Sequence, residues 1–266
     1  MPVIPLSPLD LALAAVLVGL VALFSWRLGT GQARPLLVAA LRTVVQLLLV
    51  GLVLEVLFAH ARLVWVLLLM AGMLLMAGYE VTARQKRRFR GRWGYGLGTA
   101  SMFISTFCVM ALALLVLVQP QPWYQPQYAI PLLGMLLGNS MTGTALALDR
   151  LTEGTWRQRE QIEARLMLGH AAGDAIASVR TEALRSGLMP IINAMAAAGV
   201  VSLPGMMTGQ ILAGSPPLEA VKYQILILFL IAAASGLATL IAVRFGARRL
   251  FDERQRLVLE RLAPPT

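Results

Sequence analysis

The sequence predicts an all-α integral membrane protein with seven transmembrane helices, N-terminus outside and C-terminus in the cytoplasm. Three observations carry that expectation. Hydrophobic residues make up 58% of the chain and charged ones only 14%, against about 45–50% and roughly 25% in soluble domains. Seven stretches of the sequence approach the ~20 apolar residues that cross a hydrocarbon layer as a helix. Lysine and arginine alternate between rich and poor loops, as topology requires. Together these exclude a disordered chain, a collagen, a disulfide scaffold and a soluble single-domain enzyme, which would have no surface to keep it in water.

The stretches run over 9–25, 36–58, 63–80, 97–118, 128–148, 188–212 and 223–245. The first is read as a span and not as a signal peptide: it has no basic n-region, Asp10 sits at its start, and its first positive charge, Arg27, follows it. Loop 26–35 carries Arg27 and Arg34, and loop 81–96 carries six basic residues. Loop 149–187 and the tail from Arg244 carry six each. Twenty of the 23 basic residues thus fall on one side, which is the cytoplasmic side by the positive-inside rule. Only Arg62 and Lys222 lie at outer edges, and Arg42 lies inside a span. The net charge of +10 is therefore read as topology, with no nucleic acid as partner. The outer loop 119–127 is proline-rich and uncharged, and Trp123, Tyr124 and Tyr128 suit the aromatic belt at the level of lipid headgroups. Cys108 has no second cysteine to pair with and is read as a small hydrophobe. The whole chain, 1–266, is read as one transmembrane domain.

Loop 149–187 has 39 residues, of which 12 are charged. Thr155 and Gln158 have capping-box spacing, so a helix is expected to start there. Ile162, Leu166, Gly169, Gly173 and Ile176 recur at helical spacing. Gly169 and Gly173 weaken that helix and Asp174 can cap a new one, so the expected shape is helix, bend, helix, feeding the span at Leu188. An amphipathic helix resting on the membrane surface would explain the same pattern.

The run from Glu163 through Ala164, Arg165, Leu166, Met167 and Leu168 to Gly169 resembles the Glu-Ala-Ala-x-x-x-Gly stretch of ABC-transporter membrane subunits. In those subunits a short cytoplasmic helix docks into a groove on a separate ATPase. Arg165 replaces the second alanine, and the Leu-Pro that often follows is displaced to Leu188-Met189-Pro190. A wider likeness accompanies it. The segment from Pro131 through Asn139, Ser140, Met141 and Thr142 resembles the fifth span of the Fet-type (FetB) permease family. The run Val201 to Gly214, which contains Leu203-Pro204-Gly205-Met206-Met207-Thr208-Gly209-Gln210, and the run Pro217 to Gln224 after it are similar to that family too, and so is Arg42-Thr43-Val44-Val45-Gln46-Leu47 in the second span. Bacterial members of that family are linked to iron export and oxidative-stress resistance, and similar plant proteins to aluminium tolerance. The resemblance implies a permease subunit without a nucleotide site, a separate FetA-like ATPase subunit that binds ATP and Mg, and a homodimer of the permease within membrane lipid. Glu163, Ala164, Arg165 and Gly169 are the ATPase-coupling residues it implies.

The residues agree on their own terms. A phosphate loop ends in Gly-Lys-Ser/Thr. The two lysines, Lys86 and Lys222, follow Gln85 and Val221, so this chain has no such loop and no cofactor of its own is expected.

Ionisable and polar groups inside spans are candidates for a translocation path. Arg42 can line a path or snorkel to the cytoplasmic interface, and Gln46 follows it one turn on. Glu55 near the outer end and Glu80 at the cytoplasmic mouth can meet a cation or simply reach water. Asn139, Ser140 and Thr142 lie in the fifth span, where a polar amide needs a partner. Gly134 and Gly138, and Gly205 and Gly209, have the spacing that lets helices approach closely, within the chain or at a dimer seam. Met206, Met207, Thr208 and Gln210 follow a Pro204-Gly205 break, and broken helices expose carbonyls where they line cavities. Met70, Met73 and Met76 form a stripe better read as packing than as a soft-metal site. Metal ligands remain unassigned: no His/Cys/Asp/Glu cluster is evident, and His60 and His170 fall on opposite sides of the membrane. An ion-coupled secondary transporter of a metal or small solute is the competing reading. A retinal protein would need a lysine deep in a helix, and Lys222 lies at an outer edge.

Overall fold

Proline opens α1 (Pro8–Arg27), α5 (Pro126–Arg157) and α10 (Pro217–Arg249). Its missing N–H would be unsatisfied in a first turn anyway, and its φ is already helical. At α1 the Ser7 hydroxyl accepts from the Asp10 N–H, and the Asp10 carboxylate accepts in return from the Ser7 N–H. The computed structural model describes residues 7–59 and 62–264; His60 lies outside them. All regular structure among these residues is helical, and six helices are long and apolar enough to cross a membrane.

The chain forms two compact units. One comprises 1–62 with 212–215. In it α1 packs along α2 (Ala33–Ala59), joined through Gly29 and Gly31 at φ +63° and +72°. These two helices bury only Ala22 and Leu57. Apart from Arg42, Gln46 and Glu55 on α2, their exposed middle turns are almost wholly apolar, as suits helices that meet lipid or another membrane helix.

The other unit comprises 63–211 and 216–266. The central α5 packs against α3 (Leu63–Ala83), α4 (Trp93–Leu112), α8 (Ala177–Ala197) and α10. Leu133, Leu136, Leu148 and Leu151 are fully buried along it. α4 ends in a π-helical segment, Ala113–Val118. The buried hydroxyls of Ser101, Ser105, Thr106, Thr152 and Thr155 donate to carbonyls of their own helices. That is how a polar group survives where no water competes.

Several expectations change. Thr155 caps nothing: it sits inside α5, which continues to Arg157, and its hydroxyl donates to the Leu151 carbonyl at 2.7 Å. The next helix, α6 (Arg159–Met167), begins after Gln158, whose side chain makes no cap bond. Asp174 lies inside the single turn α7 (Ala172–Ala175) instead of capping it. The helix–bend–helix outline holds, with Gly169 at φ +87° ending α6 and α8 running on past Leu188.

Stretch 188–212 is not one helix. α8 stops at Ala197, and Gly199 at φ +81° turns the chain. The Ser202 N–H donates to the Ala197 carbonyl at 3.1 Å, and α9 (Gly205–Leu212) restarts behind Pro204. Neither expected glycine pair makes a close approach inside this chain. A β-carbon on Gly138, Gly205 or Gly209 would meet nothing within 4 Å, and one on Gly134 would meet only the Met73 methyl at 3.4 Å. Met70 is buried, Met73 half-buried and Met76 exposed, which is a packing gradient and not a ligand row. Cys108 is exposed on α4.

Candidate functional site

Two features of the larger unit bring chemistry-bearing residues together. The first lies at its basic end. Ile162 is buried and anchors α6, while Glu163, Ala164 and Arg165 face outward. The Arg165 guanidinium donates to the Ala175 carbonyl at 3.4 Å, tying α6 to α7 across the bend. The residue that departs from the coupling-helix pattern therefore braces the elbow. At its tip Met167 and Leu168 are 82% and 79% exposed.

The C-terminal tail completes this feature. Arg261 donates to the carbonyls of Arg249 at 2.7 Å and Phe251 at 2.9 Å. Arg90 and Ala263 donate backbone N–H groups to Arg261 and Arg88 carbonyls. The tail is so pinned to both α10 and the 84–92 loop. Gln255, itself at φ +59°, accepts from the Ala172 N–H at 2.8 Å. Between tail and elbow lies a groove of about 750 Å³, bounded by Glu163, Met167, His170, Glu253, Arg254 and Leu257. The tail's part in this groove was not foreseen from sequence; the Asp252/Arg256 spacing was the available signal. Asp252 accepts from the backbone N–H of Arg256 at 2.8 Å and from its Nε at 2.7 Å. The Arg256 N–H first, and then its guanidinium, holds the Asp252 carboxyl below its ordinary value against some desolvation.

Beside the elbow, Arg87 is almost fully buried, with its guanidinium 4.0 Å from the Trp156 ring centre and its Nε 3.5 Å from Glu153. Glu153 also pairs with Arg157 at 2.8 Å. The Lys86 N–H donates to Asp149 at 2.7 Å. These contacts bind the 84–92 loop to the end of α5.

The second feature is a cavity of about 240 Å³ among α5, α9, α10 and the π-helical segment, with Met135, Met206, Gln210 and Tyr223 in its wall. α9 is held there by Gln224, whose Oε1 accepts from the Met207 N–H at 3.3 Å. Thr208 turns inward on its own helix, donating to the Pro204 carbonyl at 3.2 Å. The structure thus joins Met206 and Gln210 to Met135 and Tyr223, which sequence reasoning did not single out.

The other expected path residues do not line this cavity. Asn139 is exposed and its amide donates to the Met135 carbonyl at 2.9 Å. The Thr142 hydroxyl donates to Gly138 at 3.0 Å, and Ser140 is fully buried. Glu80 is half-buried with Arg84 at 3.6 Å. Arg42, Gln46 and Glu55 lie exposed on α2, in the smaller unit. Lys222 is exposed and pairs with Glu219 at 2.7 Å, far from the environment of a Schiff-base lysine. Among the described residues no three His, Cys, Asp or Glu side chains converge as metal ligands would.

Residues 8–251 match the family described as Uncharacterised protein family (UPF0014). A UPF0014 membrane protein of Synechocystis is 42% identical over 239 residues, covering 90% of this chain and 91% of that one. The probable iron export permease protein FetB of Escherichia coli is 31% identical, covering 95% of each chain. Protein ALUMINUM SENSITIVE 3 of Arabidopsis thaliana is 31% identical over 86% of this chain and 82% of its own. No solved structure matches. With its long apolar helices and these relatives, the chain is a multi-pass membrane protein and belongs to the UPF0014 family.

Proposed function

We propose that this chain is the membrane subunit of an ABC transporter, exporting iron or another metal with energy from a separate ATPase subunit. The α6–α7 elbow carries this reading. It presents Glu163 and the exposed Met167-Leu168 pair on a braced support at the basic end of the unit. The absence of a phosphate-loop motif from the sequence supports a motor on another polypeptide. The relative named as a probable iron export permease supports the cargo.

In this reading the chain crosses the membrane seven times, the broken α8–α9 pair counting as the sixth crossing. The N-terminus lies outside and the elbow in the cytoplasm. Two copies pair, each with an ATPase that binds ATP and Mg. The translocation path includes the broken segment with Met206, Met207, Thr208 and Gln210. Asn139, Ser140 and Thr142 on α5 also contribute, as do Arg42, Gln46 and Glu55 on α2 and Glu80 on α3. The chain itself performs no catalysis.

The test is affinity purification from the native membrane in mild detergent. A stoichiometric ATPase should accompany the wild-type protein. Glu163→Arg should lose it while inserting normally, because Glu163 is exposed and outside the core. Unchanged co-purification and ATPase coupling in that variant would overturn the assignment of the elbow.

A further inference from the structure

We propose that the tail after α10 is the second half of the ATPase docking surface: the partner subunit touches Glu253, Arg254 and Leu257 together with the α6–α7 elbow and lays an apolar side chain in the groove between them. This rests on the transport reading above and names the part of the chain that completes the elbow.

The elbow is too small to hold a partner by itself. α6 has nine residues, so it is about 13 Å long and about 10 Å across. Ile162 faces the core. The outward half of such a cylinder offers on the order of 200 Å², and the bend and α7 roughly double that. A stable interface takes roughly 800 Å² from each partner. Neighbouring segments must supply the rest, and the tail is the neighbour that shares a groove with the elbow.

The groove is continuous with the docking face. Glu163 and Met167 belong to α6 and also line the groove of about 750 Å³, with Glu253, Arg254 and Leu257 contributed by the tail. A protein seated on the outward side of Glu163 and Met167 therefore covers the groove as well. Leu166, Met167 and Leu257 give it apolar surface, and Glu163, Glu253 and Arg254 give it charge of both signs. An apolar centre with a polar rim is the ordinary composition of a protein interface. Arg256 is paired with Asp252 at 2.7 Å, so the groove has no surplus of positive charge with which to hold anionic lipid.

The tail is also a prepared wall. Leu250, Phe251 and Leu262 are buried beneath it. The Val258 N–H donates to the Leu250 carbonyl at 2.8 Å and the Asp252 N–H to the Arg256 carbonyl at 3.0 Å, which closes the turn that carries Glu253 and Arg254. Gln255 then ties this turn to the first N–H of α7. A surface held in place this way gives up little freedom when a partner docks.

The experiment places the photoreactive residue benzoylphenylalanine at Met167, at Glu253 or at Glu219 in the full chain, irradiates native membranes, and identifies the adducts by peptide mass spectrometry. Met167 and Glu253 should both join to one protein whose peptides include a phosphate loop, and Glu219, on the first turn of α10, should not. Glu253→Trp, which narrows the groove from the tail side, should lower recovery of that ATPase about tenfold, the scale of blocking one central contact. Glu260→Trp, exposed on the tail but outside the groove, should leave recovery unchanged. Adducts from Met167 alone would overturn the tail's role and leave the elbow reading standing. Adducts from neither would overturn both. Adducts from Glu253 to a second copy of this chain or to lipid, or full recovery with Glu253→Trp, would also overturn the proposal.

Discussion

Gly143 on α5 and Gly187 on α8 lie so close that a β-carbon on either would stand 2.7 Å from the other's carbonyl oxygen. Ser235 and Thr239 of α10 close over the same point, with the Ser235 hydroxyl donating to the Asn139 carbonyl at 3.4 Å. In a membrane, helices associate by packing and not by hydrophobic drive, so small residues at the crossing matter most. Gly143→Ala and Gly187→Ala must push backbone apart and should each cost about 1–3 kcal/mol. A lowered thermal midpoint in detergent measures this. Gly138→Ala, with nothing within 4 Å, is the control and should stay within ~0.5 kcal/mol of wild type. Equal midpoints for all three would show that the crossing is looser than described.

Arg87 joins the 84–92 loop to α5 through both a ring and a carboxylate. Arg87→Ala should lose about 2 kcal/mol from the stacked and charged contacts together. Arg87→Lys should recover little, because an ammonium lacks the flat face that lies on Trp156. A double-mutant cycle with Trp156→Leu measures the stacking share, and strict additivity of the two changes would refute it.

The turn at Asp252 should depend on pH in a defined direction. Its folded carboxyl titrates below the unfolded one, so the contribution is complete above the ordinary carboxylate range near ~4 and fades as pH falls through the folded value. The Arg256 amide resonance should therefore hold steady from neutral pH down to about 5 and move only in stronger acid. Asp252→Asn should shift it at neutral pH. If that variant keeps the wild-type resonance, the carboxylate does not organise the tail.

Asn139 spends its amide on its own helix and remains exposed in the single chain. On the transport reading, Asn139→Leu should leave the thermal midpoint within ~0.5 kcal/mol but reduce vesicle transport several-fold. Normal transport would assign the residue to helix packing. A large loss of stability would place it at a seam between copies instead.

Much of the fold was legible because hydrophobicity and helix length are local quantities. Five of the expected spans lie within single helices, and proline marks the starts of α1, α5 and α10. Stretch 97–118 was equally legible as apolar, but its last turn is π-helical, a choice that residue type alone does not dictate. The break between α8 and α9 was signalled by Pro204-Gly205, yet a hydropathy window averages across it. Thr155 misled because capping-box spacing also occurs inside helices, where a threonine satisfies itself on the carbonyl four residues back.

The sequence by itself determined the class of molecule: apolar runs long enough to span a bilayer, basic segments between them, and a Glu163-to-Gly169 elbow bent at glycine. Tertiary structure alone decided which residues meet. The Gly143–Gly187 crossing pairs positions 44 residues apart. The tail's Gln255 reaches Ala172 across 83 residues, and Gln210 shares a cavity with Met135 and Tyr223. Contacts of that kind depend on how whole helices cross and turn about their axes. Those relations follow from the fit of many side chains at once, which no local pattern in the chain encodes.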